Sequence, residues 1–579
     1  MYDKDKIVVL KFGSSVLRNE DDLPRAVHEI YGWWRRGAQV VVVTSAFGNT
    51  TDSLLRSAEN ICASPERATL ATLLATGEAA SSALLGLALN RAGIPSRVLD
   101  PVQAGLRTEG GTLDADLIGV DVARLRYELR KAVVVLPGFI GRGDHGNTTL
   151  LGRGGSDLSA LFLAHRLGAE CLLLKDVDGI YAGDPKAAKT RPACFAELKY
   201  ETAIQLAGSV VQLKAIKFAA AHRVSFSVSS IGSTNRTLVG AVADRLSVSH
   251  TDAEQMRVAL LGCGTVGSGV YQALNALPEL FTITGVGTRN SERAHAAGVP
   301  DSLITANLEG LIHQPCDIVI EAIGGEEQAG KLVTKALAAD RDVVTANKAL
   351  LVKEGEKLID LAARRGVNLH YSAAVGGAMP AFESIAQLRR TNPIRSFRGV
   401  LNGTTNFVLD RLAKGDNIEH AINLARREGY TEHNYQLDLD GTDAAQKLIL
   451  LAREAFGVSP QFEEIDRVGI ESVDTREVQA AQRHGRAVRL VAYCERIGNQ
   501  FFASVKPIEL SGKDPLFQTA GVENCLEIRT ENDVAVVLRG KGAGRWPTTE
   551  AIVADLLDIR AEQSLFVDSR ATEQREECA

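Results

Sequence analysis

The chain has 579 residues, of which 45% are hydrophobic and 23% are charged, and its formal net charge is −6. This length exceeds one ordinary domain several times over, so about three domains are expected. Neither a basic block nor an aromatic-studded stripe is present, which argues against a nucleic acid partner. The N-terminal MYDKDKIVVLKF lacks the apolar core of a signal peptide, and no apolar run is long enough to cross a membrane. The composition therefore predicts a soluble protein of the cytoplasm.

The cysteines are consistent with the same compartment. They are scattered along the chain without any C-x-x-C pair. Such spacing is typical of reduced thiols in a cytoplasm rather than of disulfides or a zinc site. The eight positions are Cys62, Cys171, Cys194, Cys263, Cys316, Cys494, Cys525 and Cys578.

Residues 1–243 alternate apolar runs with helical patterns, which predicts a mostly parallel sheet with helices on both faces. Ligands of such sheets bind outside the carboxyl ends of the strands, so the glycine-rich turns found there should converge. Lysine and arginine beside exposed backbone N–H groups would suit a transferring phosphoryl group. The apolar runs are residues 7–11, 40–45, 133–137, 171–176 and 224–229, and the turns are residues 11–15, 138–141 and 152–157.

These strand ends resemble the amino acid kinase family, and the aspartokinases most among its members. The matching pieces are VLKFGSS, VVVTSAFG, TGEAASSALL, GRGGSD and KDVDGIYAGDP. The resemblance implies that Lys11 stabilises the phosphoryl group and that Glu78 binds the amino group of aspartate. It also implies that Arg153, Ser156 and Asp157 contact the substrate end, and that Asp176, Asp178, Tyr181 and Asp184 lie along ATP, which binds with Mg²⁺. Taken singly, each glycine loop could equally be a tight turn and D-x-D-G a solvated corner.

The N-terminal half departs from the aspartokinase pattern at two places. Ser14 stands where the second glycine after Lys-Phe-Gly is usual, so a side chain is present where backbone should approach phosphate. The late loop, residues 206–218, has valine where the family has a lysine that reaches ATP. One hypothesis is that Lys214 replaces that lysine.

A dinucleotide fingerprint follows at residues 257–273, RVALLGCGTVGSGVYQA. Gly262, Gly264 and Gly267 come after a short apolar strand and open a helix, an arrangement that receives a pyrophosphate. Thr265 and Val266 lie within the same turn and are assigned to the cofactor site. The sequence therefore predicts a Rossmann domain over residues 257–390.

The second strand of this domain, residues 281–288, ends in Thr-Arg-Asn instead of the usual Asp or Glu that holds a ribose. Arginine suits a 2′-phosphate, so Arg289 favours NADP(H) over NAD(H).

Residues 429–447 combine an acidic loop with the start of a helix. Glycines bracket a loop that holds Glu432, Asp438 and Asp440, and residues 442–453 then follow a helical pattern. Asp443 and Lys447 are four apart and share one face of that helix. An isolated pair at this spacing is usually a solvated ion pair, but the dinucleotide fingerprint upstream favours an active site here.

Further segments resemble homoserine dehydrogenase: TANKALL, SAAVGGAMP, LNGTTNFVLDRL and the late KGAGRWPTTEAIVADLL. The resemblance spans residues 257–568. It implies an α+β catalytic and dimerisation domain at residues 391–540 and a segment, residues 541–568, that returns to the Rossmann domain. It also implies that Lys348 and Lys447 act at the reacting hydroxyl, with Glu432, Asp438 and the catalytic Asp443 around the substrate.

Two departures limit this second resemblance. Many members have glutamate where Ser372 stands, before a loop whose carbonyls hold a monovalent cation, so the cation site near Val375 and Gly377 lacks that acid. After Glu432, residues 433–435 read His-Asn-Tyr where the family often has Asp-Pro. Substrate contacts in that loop are therefore expected to differ.

The predicted fold class is α/β: an amino acid kinase fold, which is a parallel-sheet α/β sandwich, fused to a Rossmann domain and an α+β catalytic domain. The fusion resembles the bifunctional aspartokinase–homoserine dehydrogenases. Residues 244–256 form a linker too short for the ACT-type regulatory domains usual between the halves, so feedback inhibition through that module is not expected.

Three hypotheses about activity stay open. Both halves are enzymes, acting on aspartate, aspartate semialdehyde and homoserine. Alternatively, only the dehydrogenase works and the kinase-like half is a binding or dimerisation module, or that half phosphorylates another small acid. In each case the resemblance implies a homodimer or higher homo-oligomer without a membrane or nucleic acid partner.

Overall fold

The computed structural model describes residues 6–183, 192–206, 208, 210–247, 255–430 and 435–576, with side chains up to residue 563. The chain forms two compact units. The N-terminal unit is built mainly from residues 3–254, and the C-terminal unit mainly from residues 255–559.

The N-terminal unit alternates strands and helices as predicted. Its strands are β1 (Ile7–Phe12), β2 (Gln39–Thr44), β3 (Ser96–Val98), β4 (Arg107–Gly111), β5 (Asp114–Gly119), β6 (Val133–Pro137), β7 (Ile140–Arg142), β8 (Thr148–Leu150), β9 (Glu170–Leu174), β10 (Phe195–Lys199), β11 (Phe226–Ser229), β12 (Thr237–Gly240) and β13 (Arg245–Leu246). Its helices are α1 (Leu23–Arg35), α2 (Thr50–Ile61), α3 (Arg67–Ala92), α4 (Val122–Leu129), α5 (Gly155–Leu167), α6 (Tyr200–Leu206) and α7 (Leu213–His222).

Nine strands of this unit form one sheet in the order β13-β10-β12-β11-β9-β1-β2-β6-β3. The six strands from β11 to β3 are parallel to their neighbours, whereas β12 runs antiparallel to β11. β1 is buried along its whole length, because helices cover both faces of a parallel sheet and its strands read as continuous apolar runs. A smaller sheet, β5-β4-β7-β8, lies in the same unit.

One helix within the described residues, α3, is long and apolar enough by length and composition to cross a bilayer. Half of its most apolar stretch is buried inside the protein, as in a core helix. It also carries the buried carboxylate of Glu78.

The boundary between the halves differs from the predicted linker at both ends. β13 pairs with β10, so the sheet of the N-terminal unit continues two residues past the predicted start at residue 244. The next strand begins at Met256, the last residue of the predicted linker. Only residues 247–255 separate the two strands, and this interval has no room for a folded domain.

The first part of the C-terminal unit is a parallel six-stranded sheet. Its strands are β14 (Met256–Leu261), β15 (Phe281–Gly287), β16 (Ile304–Thr305), β17 (Ile318–Glu321), β18 (Asp342–Thr345) and β19 (Leu369–His370). Its helices are α8 (Thr265–Asn275), α9 (Ser291–Ala296), α10 (Leu308–His313), α11 (Glu327–Ala338) and α12 (Lys348–Arg365). The order β16-β15-β14-β17-β18-β19 is the 3-2-1-4-5-6 order of a doubly wound dinucleotide-binding sheet.

The second part packs helices on an antiparallel sheet ordered β21-β23-β22-β20-β24-β25, with only β21 and β23 parallel. The strands are β20 (Ile394–Val400), β21 (Asp466–Arg467), β22 (Arg486–Ile497), β23 (Gln500–Ser511), β24 (Glu523–Thr530) and β25 (Ala535–Lys541). The helices are α13 (Ala381–Arg389), α14 (Gly403–Ala413), α15 (Ile418–Arg427), α16 (Gln436–Leu439), α17 (Thr442–Phe456) and α18 (Thr475–Arg483). This is the predicted α+β arrangement.

A last helix, α19 (Arg545–Glu576), makes up most of the C-terminal segment. Its buried residues Ala551, Ile552 and Leu556 pack in the same core cluster as Val258 and Leu260 of β14. The helix continues past residue 568, where the sequence analysis ended the last segment.

Candidate active sites

Helix α17 is preceded by a glycine in a backbone conformation that other residues adopt only with strain. Gly441 precedes the helix with φ +82°, a left-handed conformation that costs other residues energy. The Asp440 side chain accepts a hydrogen bond from the Thr442 backbone N–H at 2.8 Å. This start places Asp443 in the first turn and Lys447 one turn later, on the same buried face.

Asp443 is held between two lysines. Its Oδ2 lies 2.8 Å from Nζ of Lys447, and its Oδ1 lies 3.1 Å from Nζ of Lys348 on α12. Lys447 is buried and also donates to the carbonyl oxygen of Leu401 at 2.7 Å. The predicted pair is therefore present, and Lys348 from the dinucleotide-binding part joins it.

Electrostatics keep this aspartate ionised. Burial alone would raise the pKa of Asp443, but the ammonium groups of Lys447 and Lys348 hold it well below its usual range. Hydrogen bonds from Lys447 and from the Asn402 amide lower the pKa further. Asp443 thus carries a fixed negative charge at neutral pH.

Asn402 is a site residue that the sequence analysis missed. Its Nδ2 donates to Asp438 at 2.7 Å and to Asp443 at 2.8 Å, and its Oδ1 accepts from the Thr405 backbone N–H at 2.8 Å. The side chain therefore caps α14 and joins two of the predicted acids. Asparagine directly before a helix is a common cap, and that was the available signal. Glu432, the third predicted acid of the loop, lies outside the described residues.

Lys348 is the first residue of α12, and the loops before that helix fix its place. Asn347 caps α12 by accepting from the Leu350 backbone N–H, and its Nδ2 donates to the carbonyl oxygen of Gly325 at 2.6 Å. Glu321 ends β17 fully buried and accepts from the Thr345 hydroxyl at 2.6 Å. A carboxylate at the end of an apolar strand was the signal for Glu321, which the sequence analysis did not assign.

A second contact holds α12 against α17. Arg453 of α17 donates from Nη1 to the carbonyl oxygen of Leu351 in α12 at 2.9 Å. The guanidinium lies over Gly355, where any Cβ would collide with Nη1. The helix that carries Lys348 is thereby fixed to the helix that carries Asp443 and Lys447.

The glycine fingerprint has the geometry that a pyrophosphate requires. Gly262 has φ +107°, and a Cβ there would lie 2.5 Å from the Ala322 carbonyl oxygen. A Cβ at Gly267 would collide with the carbonyl of Gly262, whereas one at Gly264 would project into open space. α8 starts directly after Gly264 with Thr265 and Val266 in its first turn. A dinucleotide fits this loop and helix N-terminus.

Arg289 lies exposed two residues beyond β15, at the position predicted to face the ribose. The neighbouring Thr288 and Asn290 bond to each other, and Asn290 caps α9. No acidic residue occupies this strand end within residues 288–290.

The predicted cation loop is a tight turn. Gly376 and Gly377 both have positive φ, and the Gly376 carbonyl already accepts from the Met379 backbone N–H at 2.8 Å. Val375 is buried. The backbone N–H of Ser372 donates to the buried carboxylate of Asp555 at 3.1 Å, so an acid from α19 lies where the family's glutamate is missing. Within the described residues no cluster of three His, Cys, Asp or Glu could hold a metal ion.

The N-terminal unit holds a second aspartate between two lysines. Asp157 Oδ1 lies 2.7 Å from Nζ of Lys11, and Lys175 Nζ lies 2.9 Å from Oδ2 and 3.0 Å from Oδ1. Lys11 and Asp157 are almost completely buried. Burial lowers the pKa of Lys11 to about 8 despite the opposing charge of Asp157. Burial would raise the pKa of Asp157, but Lys11 and Lys175 hold it at about 2.

Glycines bring the strand ends together around this cluster. Gly154 precedes α5 with φ +79°, so Ser156 and Asp157 lie in the first turn of that helix. A Cβ at Gly138, just after β6, would lie 2.7 Å from Cβ of Ser156. The predicted convergence of the turns at residues 138–141 and 152–157 is therefore present. Arg153 is exposed beside them.

Glu78 is a buried carboxylate on α3. Burial raises its pKa to about 7, although a hydrogen bond from the Ala46 backbone N–H and the charge of Lys11 oppose this. Its Oε2 is buried without a hydrogen-bond partner among the described residues. Such an oxygen gains stability from an arriving ammonium group.

In the D-x-D-G corner after β9, one aspartate is hydrogen-bonded within the unit and the other is exposed. Asp178 accepts from the Tyr181 hydroxyl at 2.6 Å and from the Asn235 amide at 3.2 Å. Asp176 is exposed. Asp184, the fourth predicted nucleotide contact, lies outside the described residues.

The two departures from the kinase pattern have structural counterparts. Ser14 is exposed in a turn closed by Gly13, and its φ is not positive, so a serine fits without backbone strain. Lys214 donates to Asp114 at 2.7 Å and lies 3.1 Å from Asp116. Burial lowers the pKa of Lys214, but the two aspartates outweigh this effect and leave the pKa raised. Its ammonium is thus directed at β5.

Comparisons with known proteins agree with this division. The amino acid kinase family model matches residues 6–225. The model of the homoserine dehydrogenase NAD-binding domain matches residues 262–372, and the homoserine dehydrogenase model matches residues 380–557.

Individual relatives match the C-terminal unit. The homoserine dehydrogenase of Synechocystis sp. is 32% identical over 52% of this chain and 73% of its own length, and that of Bacillus subtilis is 30% identical over 54% and 74%. The crystal structure of a homoserine dehydrogenase from Thiobacillus denitrificans superposes with a TM-score of 0.51 at 31% identity, covering 54% of this chain and 74% of that one.

The predicted fold class is thereby confirmed, as is the predicted fusion. The chain belongs to the homoserine dehydrogenase family and carries an amino acid kinase domain ahead of its NAD-binding and catalytic domains, the arrangement of a bifunctional aspartokinase–homoserine dehydrogenase.

Proposed function

We propose that the C-terminal unit interconverts L-aspartate 4-semialdehyde and L-homoserine with NAD(P)(H), and that the N-terminal unit phosphorylates the side chain of L-aspartate with ATP. The observation that carries the first activity is Asp443 held between Lys447 and Lys348, beside a dinucleotide-binding fold. The matches to homoserine dehydrogenases support this substrate assignment.

Lys447 is the proposed proton carrier at the reacting hydroxyl. An ammonium has three donors, and two of those on Lys447 are directed at Leu401 and Asp443. The third is available to the substrate oxygen. When bound, the nicotinamide accepts or supplies the hydride at the adjacent carbon. Asp443 fixes both lysines, and Asp438 together with Glu432 is proposed to meet the substrate's α-ammonium.

The proposed cofactor preference is NADP(H). Exposed Arg289, in the absence of an acid at residues 288–290, suits a 2′-phosphate and not a bare ribose. Arg289→Ala is expected to raise the KM for NADP about tenfold while changing the KM for NAD little. Equal KM changes for both cofactors would contradict the preference.

The kinase activity is carried by Lys11, Asp157 and Glu78, which the fold brings to one end of the sheet. A buried, charged Lys11 would stabilise the transferring phosphoryl group, and the unpartnered Glu78 Oε2 would accept the ammonium of aspartate. Arg153 and Ser156 are proposed at the substrate end, with Asp176, Asp178, Tyr181 and Asp184 along ATP and its Mg²⁺. The alternative of an inactive module is not favoured, because burying these charged groups costs free energy that a module without activity has no reason to spend.

The same family resemblance supports proposals about assembly and location. A homodimer is proposed through the sheet of the catalytic part, whose outer face exposes Phe502, Ile508 and Val537. We also propose a cytoplasmic location and a monovalent cation at the carbonyls of Val375 and Gly377. Light scattering of the purified protein at the mass of one chain would contradict the dimer.

Two assays test the activities. Homoserine-dependent reduction of NADP is expected in the wild type and is expected to fall at least 100-fold in Lys447→Ala, with an unchanged far-UV circular dichroism spectrum. Trapping of aspartyl phosphate as its hydroxamate, with ATP, Mg²⁺ and L-aspartate, is expected in the wild type and absent in Lys11→Ala. A wild-type protein without hydroxamate formation would restore the inactive-module alternative or point to another acid.

A further inference from the structure

The late-loop lysine that the aspartokinase resemblance implies is absent, and Lys214, the hypothetical replacement, is paired with another part of the unit. The late loop has no lysine at the expected place. Lys214 donates to Asp114, Ala115 and Leu151 and forms a second ion pair with Asp116. These four contacts direct its ammonium to the edge of the small sheet.

Lys175 reaches the phosphoryl end of the site instead. Lys11 is paired with Leu173 across parallel strands β1 and β9, and Lys175 follows Leu173 by two residues. Side chains two apart on a strand lie on the same face, so Lys175 and Lys11 project to the same side of the sheet. The Lys175 backbone N–H donates to the Ser229 carbonyl at 2.8 Å, which extends the ladder to β11 and fixes this direction.

Both ammonium groups meet on one carboxylate. Lys11 and Lys175 lie 2.7 Å and 3.0 Å from the same oxygen, Oδ1 of Asp157, in the first turn of α5. The Lys175 side chain is 11% exposed, against 6% for Lys11. Two lysines around a single aspartate leave a net positive charge in a mostly dry site at the end of the sheet.

We propose that Lys175 supplies the second ammonium that stabilises the transferring phosphoryl group, in place of the missing late-loop lysine. The inference rests on the kinase activity proposed above. In that reaction the bond between the γ-phosphorus of ATP and its bridging oxygen breaks, and a bond to the aspartate side-chain oxygen forms, leaving ADP. Lys175 transfers no proton and no electron pair. It contributes charge, and Asp157 holds it in place.

The simpler role for Lys175 is a structural partner of Asp157, and a pH profile separates the two roles. Lys11 must be protonated to stabilise a phosphate, and its pKa is lowered to about 8, first by burial and in part by the charge of Lys175. Among the described residues, the other charged or titratable groups that interact with Lys11 are Asp157 of α5, Glu78 of α3 and Cys171 of β9. Removing Lys175 therefore raises the pKa of Lys11, and the alkaline limb of kcat should move to higher pH.

The test compares Lys175→Met and Lys175→Arg with Lys199→Met, which removes a half-exposed lysine of the same unit. The hydroxamate assay on the full chain should show kcat reduced about 100-fold in Lys175→Met, with the aspartate KM within threefold of wild type. Lys175→Arg should keep at least a tenth of the wild-type kcat, and Lys199→Met should match wild type. The alkaline limb of the residual Lys175→Met activity should lie above that of the wild type.

The outcomes that would overturn the inference are distinct from failure of the kinase activity. Wild-type turnover with an equally active Lys175→Met removes the role of Lys175 and leaves the kinase in place. Equal losses in the Met and Arg variants, with an unmoved alkaline limb, would make Lys175 a structural residue only. A wild-type chain that forms no aspartyl phosphate would overturn both proposals.

Discussion

The two units place a buried aspartate between two lysines, but they build the cluster from different parts of the chain. In the C-terminal unit, Asp443 and Lys447 share one helix, and Lys348 comes from another. In the N-terminal unit, Asp157 lies on a helix and both lysines come from the ends of neighbouring strands. Gly154 and Gly441 start the two helices with nearly equal φ values, +79° and +82°.

The two clusters depend on packing to different extents. The Asp443–Lys447 pair is local, so the helix alone brings it together, and only Lys348 depends on packing between α12 and α17. The residues of the Asp157 cluster are far apart in the sequence. The cluster therefore forms only when β1 and β9 pair in the correct register and α5 packs against them. The N-terminal cluster should therefore be coupled more closely to the stability of its unit.

The largest expected effect is loss of dehydrogenase activity in Asp443→Asn. Two ammonium groups would then face each other without a carboxylate between them, and both would move from the substrate hydroxyl. We expect kcat/KM for homoserine to fall by at least 100-fold with kinase activity unchanged. Asp340→Asn, which removes an exposed partner of Arg365, is the matched control and should retain full activity. A near wild-type rate in Asp443→Asn would break the comparison on the dehydrogenase side.

Asp157→Asn should destabilise the N-terminal unit in a pH-dependent way. Removing one member of a buried charge cluster is expected to cost about 3 kcal/mol at pH 7. The folded protein holds the pKa of Asp157 at about 2, below its ordinary 3.8, so its stabilising effect is present above pH 3.8 and is lost as the pH falls toward 2. Urea unfolding of wild type and variant, followed by fluorescence of Trp33 and Trp34 in a Trp546→Phe background, should show two curves that converge over that range. A gap that persists at pH 2 would show that the carboxylate charge is not what stabilises the unit.

Glu78 differs from the two aspartates, because its pKa is raised whereas the pKa values of Asp157 and Asp443 are lowered. Burial raises it to about 7, so below that pH the protonated side chain no longer attracts an ammonium. We expect the aspartate KM to rise on the order of fivefold from pH 7 to pH 6. Glu78→Gln should have a high KM that is flat over this range, while Glu59→Gln on exposed α2 should follow wild type. A flat wild-type profile would contradict the assignment.

The smallest expected effect is that of Gly355→Ala. A Cβ there would lie 2.3 Å from Nη1 of Arg453, so the guanidinium must shift and its hydrogen bond to Leu351, which ties α12 to α17, is weakened. Dehydrogenase kcat/KM should fall severalfold, while kinase activity stays constant. Gly32→Ala, in open space on α1, should leave both activities unchanged. If Arg453→Met lowers kcat/KM equally and the double variant is no worse, the two residues act through one contact.

Local sequence patterns predicted much of the fold and part of each candidate site. The glycine fingerprint, the alternation of strands and helices and the pair Asp443–Lys447 all depend on residues close in sequence, and the structure contains each of them. The carboxyl-end rule also brought Lys11 and the 152–157 turn to one site.

Contacts between residues far apart in the sequence were harder to predict. Asn402 reaches Asp443, and Glu321 reaches Thr345, only through packing between distant parts of the chain, so the sequence pattern assigned them no role. Lys175 lies in the KDVDG segment, and its place two residues beyond the position opposite Lys11 becomes evident only when the two strands are aligned. Alignment of parallel strands depends on the crossover helices, and a single sequence does not set that register. Lys214 was considered for its position in the chain, but its ammonium is paired with β5.

The most direct test of two working sites in one chain is a crossed measurement on Lys11→Ala and Lys447→Ala. Each purified variant is assayed for aspartyl hydroxamate formation and for homoserine-dependent NADP reduction. Two independent sites predict that Lys11→Ala loses only the first activity and Lys447→Ala only the second. Hydroxamate formation that survives in Lys11→Ala, or dehydrogenase turnover that survives in Lys447→Ala, would contradict the account.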